Sequence, residues 1–157
     1  ETVIVFTSDH GEMLGDHGLY TKSVPYETSV RVPLTIAAPG IEPSTSRALV
    51  ELIDLNPTLC ELAGLPPQEA IDARSLVPVL SGRRQDHRSE TVSAIRNFRC
   101  LRTSRYKYVQ HLNDRDELYD LHGDPDELVN LASAQPDRCR ELNRRLQARF
   151  LEGKWRR

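Results

Sequence analysis

The fold is decided by the stretch Thr2-Val-Ile-Val-Phe-Thr-Ser-Asp-His-Gly-Glu12, in which a short apolar run changes abruptly into a polar segment. Residues 2–6 are β-branched and aromatic, and such continuous runs are typical of strands buried on both faces of a parallel sheet. The polar, glycine-containing residues 7–18 predict a loop at the carboxyl end of that strand, where open α/β sheets bind ligands. The stretch therefore predicts an α/β domain with a ligand site on this loop.

Apolar residues further along the chain predict the other elements of this domain. Residues 32–38 predict a second strand that ends at the turn Pro39-Gly40. A helix is expected over residues 49–62, because apolar residues recur there near helical spacing, and one further helical turn over residues 75–80.

The pattern changes after residue 85 to short segments with partial alternation, separated by polar turns. These segments predict an antiparallel sheet of about four strands. They cover residues 90–95, 99–103, 106–111 and 117–121. Residues 136–150 predict a closing amphipathic helix, whose apolar side is formed by Leu142, Leu146 and Phe150.

Charge and cysteine content exclude several classes of protein. The 157 residues include 21 Lys and Arg against 23 Asp and Glu, a formal net charge of -2, which argues against a nucleic-acid binder because such a protein needs a basic face. No apolar run approaches the roughly 20 residues of a membrane span, so no membrane partner is expected. Cys60, Cys100 and Cys139 lie far apart, and so sparse a set slightly favours a reducing compartment such as the cytoplasm.

The densest polar cluster follows directly after the first predicted strand. Asp9 and His10 can supply two ligands to a divalent cation, and Gly11 leaves room for backbone or substrate to approach. The alternative is that Asp9 caps a turn and His10 packs beside it. Two Asp-His pairs, a Glu and a Lys crowd this loop, which favours the metal site. Lys22, just beyond it, either neutralises an oxyanion held against the metal or is simply solvated.

Two other residues of this region have open roles. His17 either lines the substrate pocket, where it assists the leaving group, or fixes the loop by a hydrogen bond, and the structural role is favoured. Arg31 is expected to pair with an acid such as Glu27, which lies four residues earlier and on the same face if the segment is helical.

These residues resemble the sulfatase family of the alkaline-phosphatase superfamily. The similar motifs occur in order along nearly the whole chain, as Ser8-Asp-His-Gly-Glu12, Gly15-Asp-His-Gly-Leu19, Lys22, Pro25-Tyr-Glu27, Arg31-Val-Pro-Leu34, Ala38-Pro-Gly40, Asp54-Leu-Asn-Pro-Thr-Leu59, Arg105-Tyr-Lys-Tyr108, Glu117-Leu-Tyr-Asp-Leu121, Asp124-Pro125 and Asn130-Leu131. The resemblance implies that residues 1–85 are the C-terminal part of the α/β catalytic domain, with an alkaline-phosphatase-like sheet. Residues 86–157 would be a small C-terminal α+β subdomain.

The resemblance also implies roles for the cluster. Asp9 and His10 would coordinate a divalent cation, with Ca²⁺ first because it is common in the family and Mn²⁺ second because imidazole suits it better. Lys22 would contact the sulfate group. His10, where many arylsulfatases carry Asn, makes the chain more similar to choline-sulfatase, iduronate-sulfatase and phosphonate monoester hydrolase relatives. The expected substrate is a small-molecule sulfate ester, with a phosphonate monoester or phosphodiester as the alternative.

The nucleophile that the resemblance implies has no place in this chain. Sulfatases of this type use a formylglycine made within Cys/Ser-x-Pro-x-Arg, and the nearest match, Ser23-Val-Pro-Tyr-Glu27, ends in Glu instead of Arg. We expect the formylglycine and two further aspartate ligands upstream of Glu1, and therefore expect this chain alone to bind metal weakly and to be inactive. Open sheet edges predict an oligomer or a missing N-terminal segment. A non-catalytic module derived from the fold is the alternative.

Overall fold

The computed structural model describes residues 2–66 and 72–152. The elements follow in chain order as β1 (Ile4–Thr7), a 3₁₀ turn (Asp16–Gly18), α1 (Glu27–Val30), β2 (Leu34–Ala37), a second 3₁₀ turn (Leu52–Asp54), α2 (Leu55–Leu62), α3 (Val77–Leu80), β3 (Glu90–Ile95), β4 (Phe98–Thr103), β5 (Tyr106–His111), β6 (Glu117–Asp120) and α4 (Pro136–Glu152). None of the helices in the described part of the chain is long and apolar enough to cross a membrane.

The described residues divide into two compact units. The first contains residues 2–8, 33–66 and 72–89, and the second contains residues 9–32 and 90–152. The loop that carries the candidate site is thus grouped with the C-terminal sheet. The domain boundary expected between residues 85 and 86 stays a prediction.

In the first unit, β1 and β2 form an antiparallel ladder with Val5 opposite Ile36. The parallel arrangement expected for the first strand is therefore wrong for this pair. Exposure alternates along β1, where Ile4 is 63% and Phe6 64% exposed, so the described residues do not bury both faces of the strand. An apolar run is compatible with either direction, because it reports a tendency to be buried and does not specify the partner strand.

The helices of the first unit are organised around the buried carboxylate of Asp54. Its Oδ2 accepts hydrogen bonds from His87 Nε2 and Arg88 Nε, both at 2.9 Å, and its Oδ1 accepts one from the backbone N–H of Arg74 at 2.8 Å. Burial raises the pKa of Asp54, but the hydrogen bonds from Arg88 and from backbone N–H groups outweigh it and hold the pKa below its usual range. The predicted helical segments are confirmed by α2 and α3.

In the second unit, β3 to β6 form the predicted four-stranded antiparallel sheet in sequential order, and α4 is the predicted closing helix. The core between the sheet and α4 is built from buried residues of both, namely Leu101, Tyr108, Leu118, Leu142 and Leu146. Phe150 packs against this cluster, as its position in the helical pattern predicts. Because successive side chains of a strand point to opposite faces, Cys100, Lys107 and Val109 lie on the face away from α4.

Candidate functional site

The side chains of Asp9, His10 and Lys22 come together in the second unit. His10 Nε2 lies 2.9 Å from Lys22 Nζ and 3.5 Å from Asp9 Oδ2. His10 Nδ1 lies 2.7 Å from the carbonyl oxygen of Gly11, which can only accept, so Nδ1 carries the proton. The Nε2 lone pair is thereby directed toward Lys22, in the tautomer that a metal ligand requires.

The carboxylate of Asp9 is exposed and accepts a hydrogen bond at Oδ1 from the backbone N–H of His10, at 3.1 Å. Slight desolvation raises the pKa of Asp9, but the adjacent His10 ring, the backbone N–H groups and the charge of Lys22 together hold it below its usual range. The Asp9 side chain is therefore a carboxylate anion at neutral pH.

The donors of Asp9 and His10 fit two adjacent positions around one cation. Two bonds of about 2.4 Å at roughly a right angle place their donor atoms about 3.4 Å apart, close to the 3.5 Å between Asp9 Oδ2 and His10 Nε2. Lys22 donates to the same Nε2 lone pair, so its ammonium and a cation are alternatives at that atom. Within the described ranges no group of three or more His, Cys, Asp and Glu is arranged to hold a metal, and two ligands fall short of the 6–8 that Ca²⁺ takes.

The loop of residues 9–22, called the site loop, is hydrogen-bonded near both of its ends to the same residue of α1, Ser29. The carbonyl oxygen of Ser29 accepts a hydrogen bond from the Gly11 N–H at 2.7 Å, and the Ser29 hydroxyl donates to the carbonyl oxygen of Lys22. A Cβ on Gly11 would lie 1.9 Å from the carbonyl oxygen of Thr28, so only glycine permits this approach. The residue next to His10 and the backbone of Lys22 are thus held by one buried serine.

His17 makes its contacts elsewhere in the second unit. Its ring stacks on Tyr26, with centroids 4.0 Å apart, and its Nε2 lies 3.0 Å from the carbonyl oxygen of Asp126. Its backbone φ of 52° is left-handed. A groove of 630 Å³ runs beside it and is lined by His17, Glu27, Arg31, Asp126 and Leu128 among others. The structure therefore does not bring His17 to the Asp9–His10–Lys22 cluster, and its proposed role in leaving-group chemistry stays a prediction.

The expected ion pair between Arg31 and Glu27 is wrong. Glu27 Oε1 instead lies 2.8 Å from Lys107 Nζ and 3.2 Å from Arg102 Nε, both on the C-terminal sheet. Burial raises the pKa of Glu27, but the charges of Lys107 and Arg102 outweigh it and hold the pKa below its usual range. A four-residue spacing predicts a helical pair only when no stronger partner is supplied by distant sequence.

Lys107 and Glu127 are functional candidates that the sequence interpretation missed. Lys107 is completely buried, and its Nζ lies 2.7 Å from Glu127 Oε1 and 2.9 Å from the carbonyl oxygen of Pro25. Burial raises the pKa of Glu127, and Lys107 offsets this only in part. Alternation in the segment Tyr106-Lys-Tyr108 suggests a lysine that faces solvent, so the sequence carried no signal of its burial.

Several known proteins are similar to this chain in sequence and in fold. A choline-sulfatase from Rhizobium meliloti (strain 1021) is 40% identical over 142 residues, which cover 84% of this chain and 27% of that protein. Arylsulfatase K from Xenopus laevis is 33% identical over 165 residues, covering 94% and 31%. The solved structure of a phosphonate monoester hydrolase from Silicibacter pomeroyi superposes with a TM-score of 0.87 at 30% identity, covering 96% of this chain and 36% of that chain.

The chain spans roughly a quarter to a third of the length of these two curated relatives, 27% and 31%. Residues 15–155 match the family described as "N-sulphoglucosamine sulphohydrolase, C-terminal". That match covers most of the sequence, including the C-terminal sheet and α4. The chain therefore belongs to this sulfatase family.

Proposed function

We propose that this chain contributes the cation and sulfate-binding residues of a sulfuric ester hydrolase, with Asp9 and His10 as metal ligands and Lys22 as the sulfate contact. The observation that carries the proposal is that Asp9 Oδ2 and Lys22 Nζ both lie within 3.5 Å of His10 Nε2. The membership of the sulfatase family makes a sulfate ester the first candidate substrate.

Each residue of the cluster has a distinct task in this proposal. Asp9 supplies an anionic oxygen, and His10 supplies a neutral nitrogen whose tautomer is set by the Gly11 carbonyl. The Lys22 ammonium donates to an oxyanion and stabilises the negative charge that develops on it. A bound divalent cation, Ca²⁺ first and Mn²⁺ second, would supply Lewis-acid polarisation of the sulfate oxygens. The nucleophile, a formylglycine, is proposed to lie outside these residues.

A second candidate is the hydrolysis of a phosphonate monoester or phosphodiester. The structural similarity to the phosphonate monoester hydrolase, with a TM-score of 0.87, favours it specifically. The same three side chains suit both substrates, because sulfate and phosphonate esters present similar anionic oxygens to a cation and an ammonium.

Ligand binding tests the site on the 157-residue chain itself. We expect CaCl₂, followed by sodium sulfate, to shift the NMR signals of the His10 ring and the Lys22 side chain. Asp9→Asn should abolish the response to Ca²⁺. Asp86→Asn is the matched control, because Asp86 is also a highly exposed aspartate with a basic neighbour. Absence of any response, or an equal response in Asp9→Asn, would contradict the metal site.

Activity must be tested on the product of the complete reading frame that contains this sequence. An aryl sulfate and an aryl phosphonate monoester, assayed in parallel, separate the two candidate substrates, and the faster one identifies the class. We expect the 157-residue chain alone to hydrolyse neither, so turnover by that chain would contradict the proposal. Upstream codons for paired Asp and for Cys/Ser-x-Pro-x-Arg would support the enzyme, whereas their absence would support a non-catalytic module.

A further inference from the structure

We propose that Lys107 is a positioning residue for the candidate site, because its buried ammonium holds in place the beginning of α1, whose Ser29 is hydrogen-bonded to Gly11 and to Lys22. This inference deepens the proposed function and rests on it. Lys107 makes its hydrogen bond and ion pairs away from Asp9, His10 and Lys22. Its influence on them therefore has to pass through the residues between.

The first link is the closed set of contacts around the ammonium. Lys107 Nζ lies 2.8 Å from Glu27 Oε1, 2.7 Å from Glu127 Oε1 and 2.9 Å from the Pro25 carbonyl oxygen. The ammonium donates a hydrogen bond to the Pro25 carbonyl oxygen, and the two carboxylates neutralise its charge at ion-pair distance. Because an unpaired buried charge is costly, the Pro25–Glu27 segment must stay docked on β5 for Lys107 to remain satisfied.

The second link is the first turn of α1. The buried Glu127 accepts a hydrogen bond at Oε2 from the Glu27 N–H, at 2.6 Å. Arg102 reaches the other side of the Glu27 carboxylate, with its terminal nitrogen 3.3 Å from Oε2. The beginning of α1 is thus tied to β4, to β5 and to the segment that follows β6.

The third link runs from α1 to the site. Ser29 lies two residues after Glu27 in the same helical turn, and its N–H donates to the Tyr26 carbonyl oxygen at 2.9 Å. Ser29 in turn accepts from the Gly11 N–H and donates to the Lys22 carbonyl oxygen. A displacement of Glu27 therefore moves the backbone beside His10 and the backbone of Lys22 together, and the 2.9 Å contact between their side chains depends on both.

The test compares ¹⁵N-labelled wild type with Lys107→Met. We expect exchange of the Gly11 amide hydrogen to accelerate at least about ten-fold, while the amides of Leu101 and Tyr108 in the sheet still exchange more slowly than that of Gly11. We also expect the His10 ring signals to shift and their response to CaCl₂ to weaken by at least about five-fold. Gly11 exchange and CaCl₂ response equal to those of wild type would overturn the inference.

Two more variants keep the test decisive. Glu127→Gln retains hydrogen-bonding capacity and removes one charge, so it should act in the same direction if Lys107→Met fails to fold. Glu90→Gln is the matched control, since it breaks the ion pair with Arg145 on the α4 face of the same sheet. Equal acceleration of Gly11 exchange in Glu90→Gln would indicate general loosening and overturn the inference.

The failure of the proposed function is distinguishable from the failure of this inference. One outcome is that the wild-type NMR signals do not respond to CaCl₂ or sulfate, while Gly11 exchange is accelerated in Lys107→Met. This outcome contradicts the proposed function and supports the positioning role of Lys107. Normal ligand responses in both proteins contradict only the positioning role.

Discussion

Two lysines of the second unit have opposite surroundings. Lys107 is completely buried, and its ammonium donates to the Pro25 carbonyl oxygen and pairs with the carboxylates of Glu27 and Glu127. Lys22 is exposed, and its ammonium meets the His10 ring. A buried lysine paired with two carboxylates holds its neighbours in place, whereas an exposed lysine can exchange a partner for a ligand. The comparison separates a cluster that organises the fold from the cluster proposed to bind a ligand.

The largest expected effect comes from removing the buried lysine. Lys107→Met leaves two carboxylates buried beside each other, so the free energy of unfolding should fall by about 3–5 kcal/mol. Lys22→Met should change it by less than about 0.5 kcal/mol, because surface substitutions without buried partners have small effects. Urea denaturation followed by circular dichroism measures both. Equal losses of unfolding free energy in the two variants would contradict the distinction between the two lysines.

The pH dependence of stability sharpens the comparison. The pKa of Glu27 is depressed in the folded protein, so its stabilisation is present above the unfolded pKa of about 4.3 and is lost as the pH falls through the folded pKa. Glu27→Gln should lower the unfolding free energy by about 1.5–3 kcal/mol at pH 7, with a difference from wild type that shrinks below pH of about 4. Urea midpoints measured from neutral to acidic pH test this.

Asp9→Asn is the control for that measurement, because Asp9 also has a depressed pKa but is exposed. Solvent and salt screen its interactions, so the acid limb of the stability profile should match that of wild type. A flattened profile in Asp9→Asn, or an unchanged difference at all pH values in Glu27→Gln, would contradict the assignment.

A smaller effect is expected from the glycine beside His10. Gly11→Ala places a Cβ 1.9 Å from the Thr28 carbonyl oxygen, so backbone must shift, at an estimated cost of about 1–3 kcal/mol. Gly123→Ala, which meets no atom within 4 Å, should be close to neutral. Thermal unfolding compares the two. If Gly11→Ala proves as stable as Gly123→Ala, the loop does not approach α1 as closely as described.

The smallest change in the free energy of unfolding is expected for Lys22→Met, which should nevertheless change the affinities for Ca²⁺ and sulfate. Lys22→Met removes the ammonium that competes with a cation for His10 Nε2. We therefore expect Ca²⁺ to bind several-fold more tightly and sulfate to bind more weakly, since the oxyanion contact is lost. NMR titrations with CaCl₂ and with sodium sulfate measure the two affinities. A loss of both would show that Lys22 supports the cation site instead of competing with it.

Much of the second unit could be predicted from the sequence because its signals are local. The alternating segments between residues 90 and 121 and the helical spacing of Leu142, Leu146 and Phe150 each report on neighbouring residues of one element. The direction of the first strand could not be predicted from local signals. The apolar run of β1 predicted a parallel sheet, but β1 pairs antiparallel with β2. The pairing depends on residues about thirty positions away, and no local period encodes them.

The candidate site, too, could be predicted from the sequence only in part. Residue type and the position after a strand made Asp9, His10 and Lys22 candidates, and the resemblance to the sulfatase family supplied their expected roles. The predicted Arg31–Glu27 pair failed because Lys107 and Arg102, from strands β5 and β4, take the carboxylate.

By itself, the sequence determined the family, the order of the elements and the identity of the three candidate side chains. Only the tertiary structure decided that Lys107 is buried, that Glu27 and Glu127 share it, and that Ser29 holds both ends of the site loop. The physical reason is that hydrogen bonds and ion pairs between distant segments depend on which faces meet. Periodicity assigns a residue to a face of its own element, and folding alone determines what lies opposite.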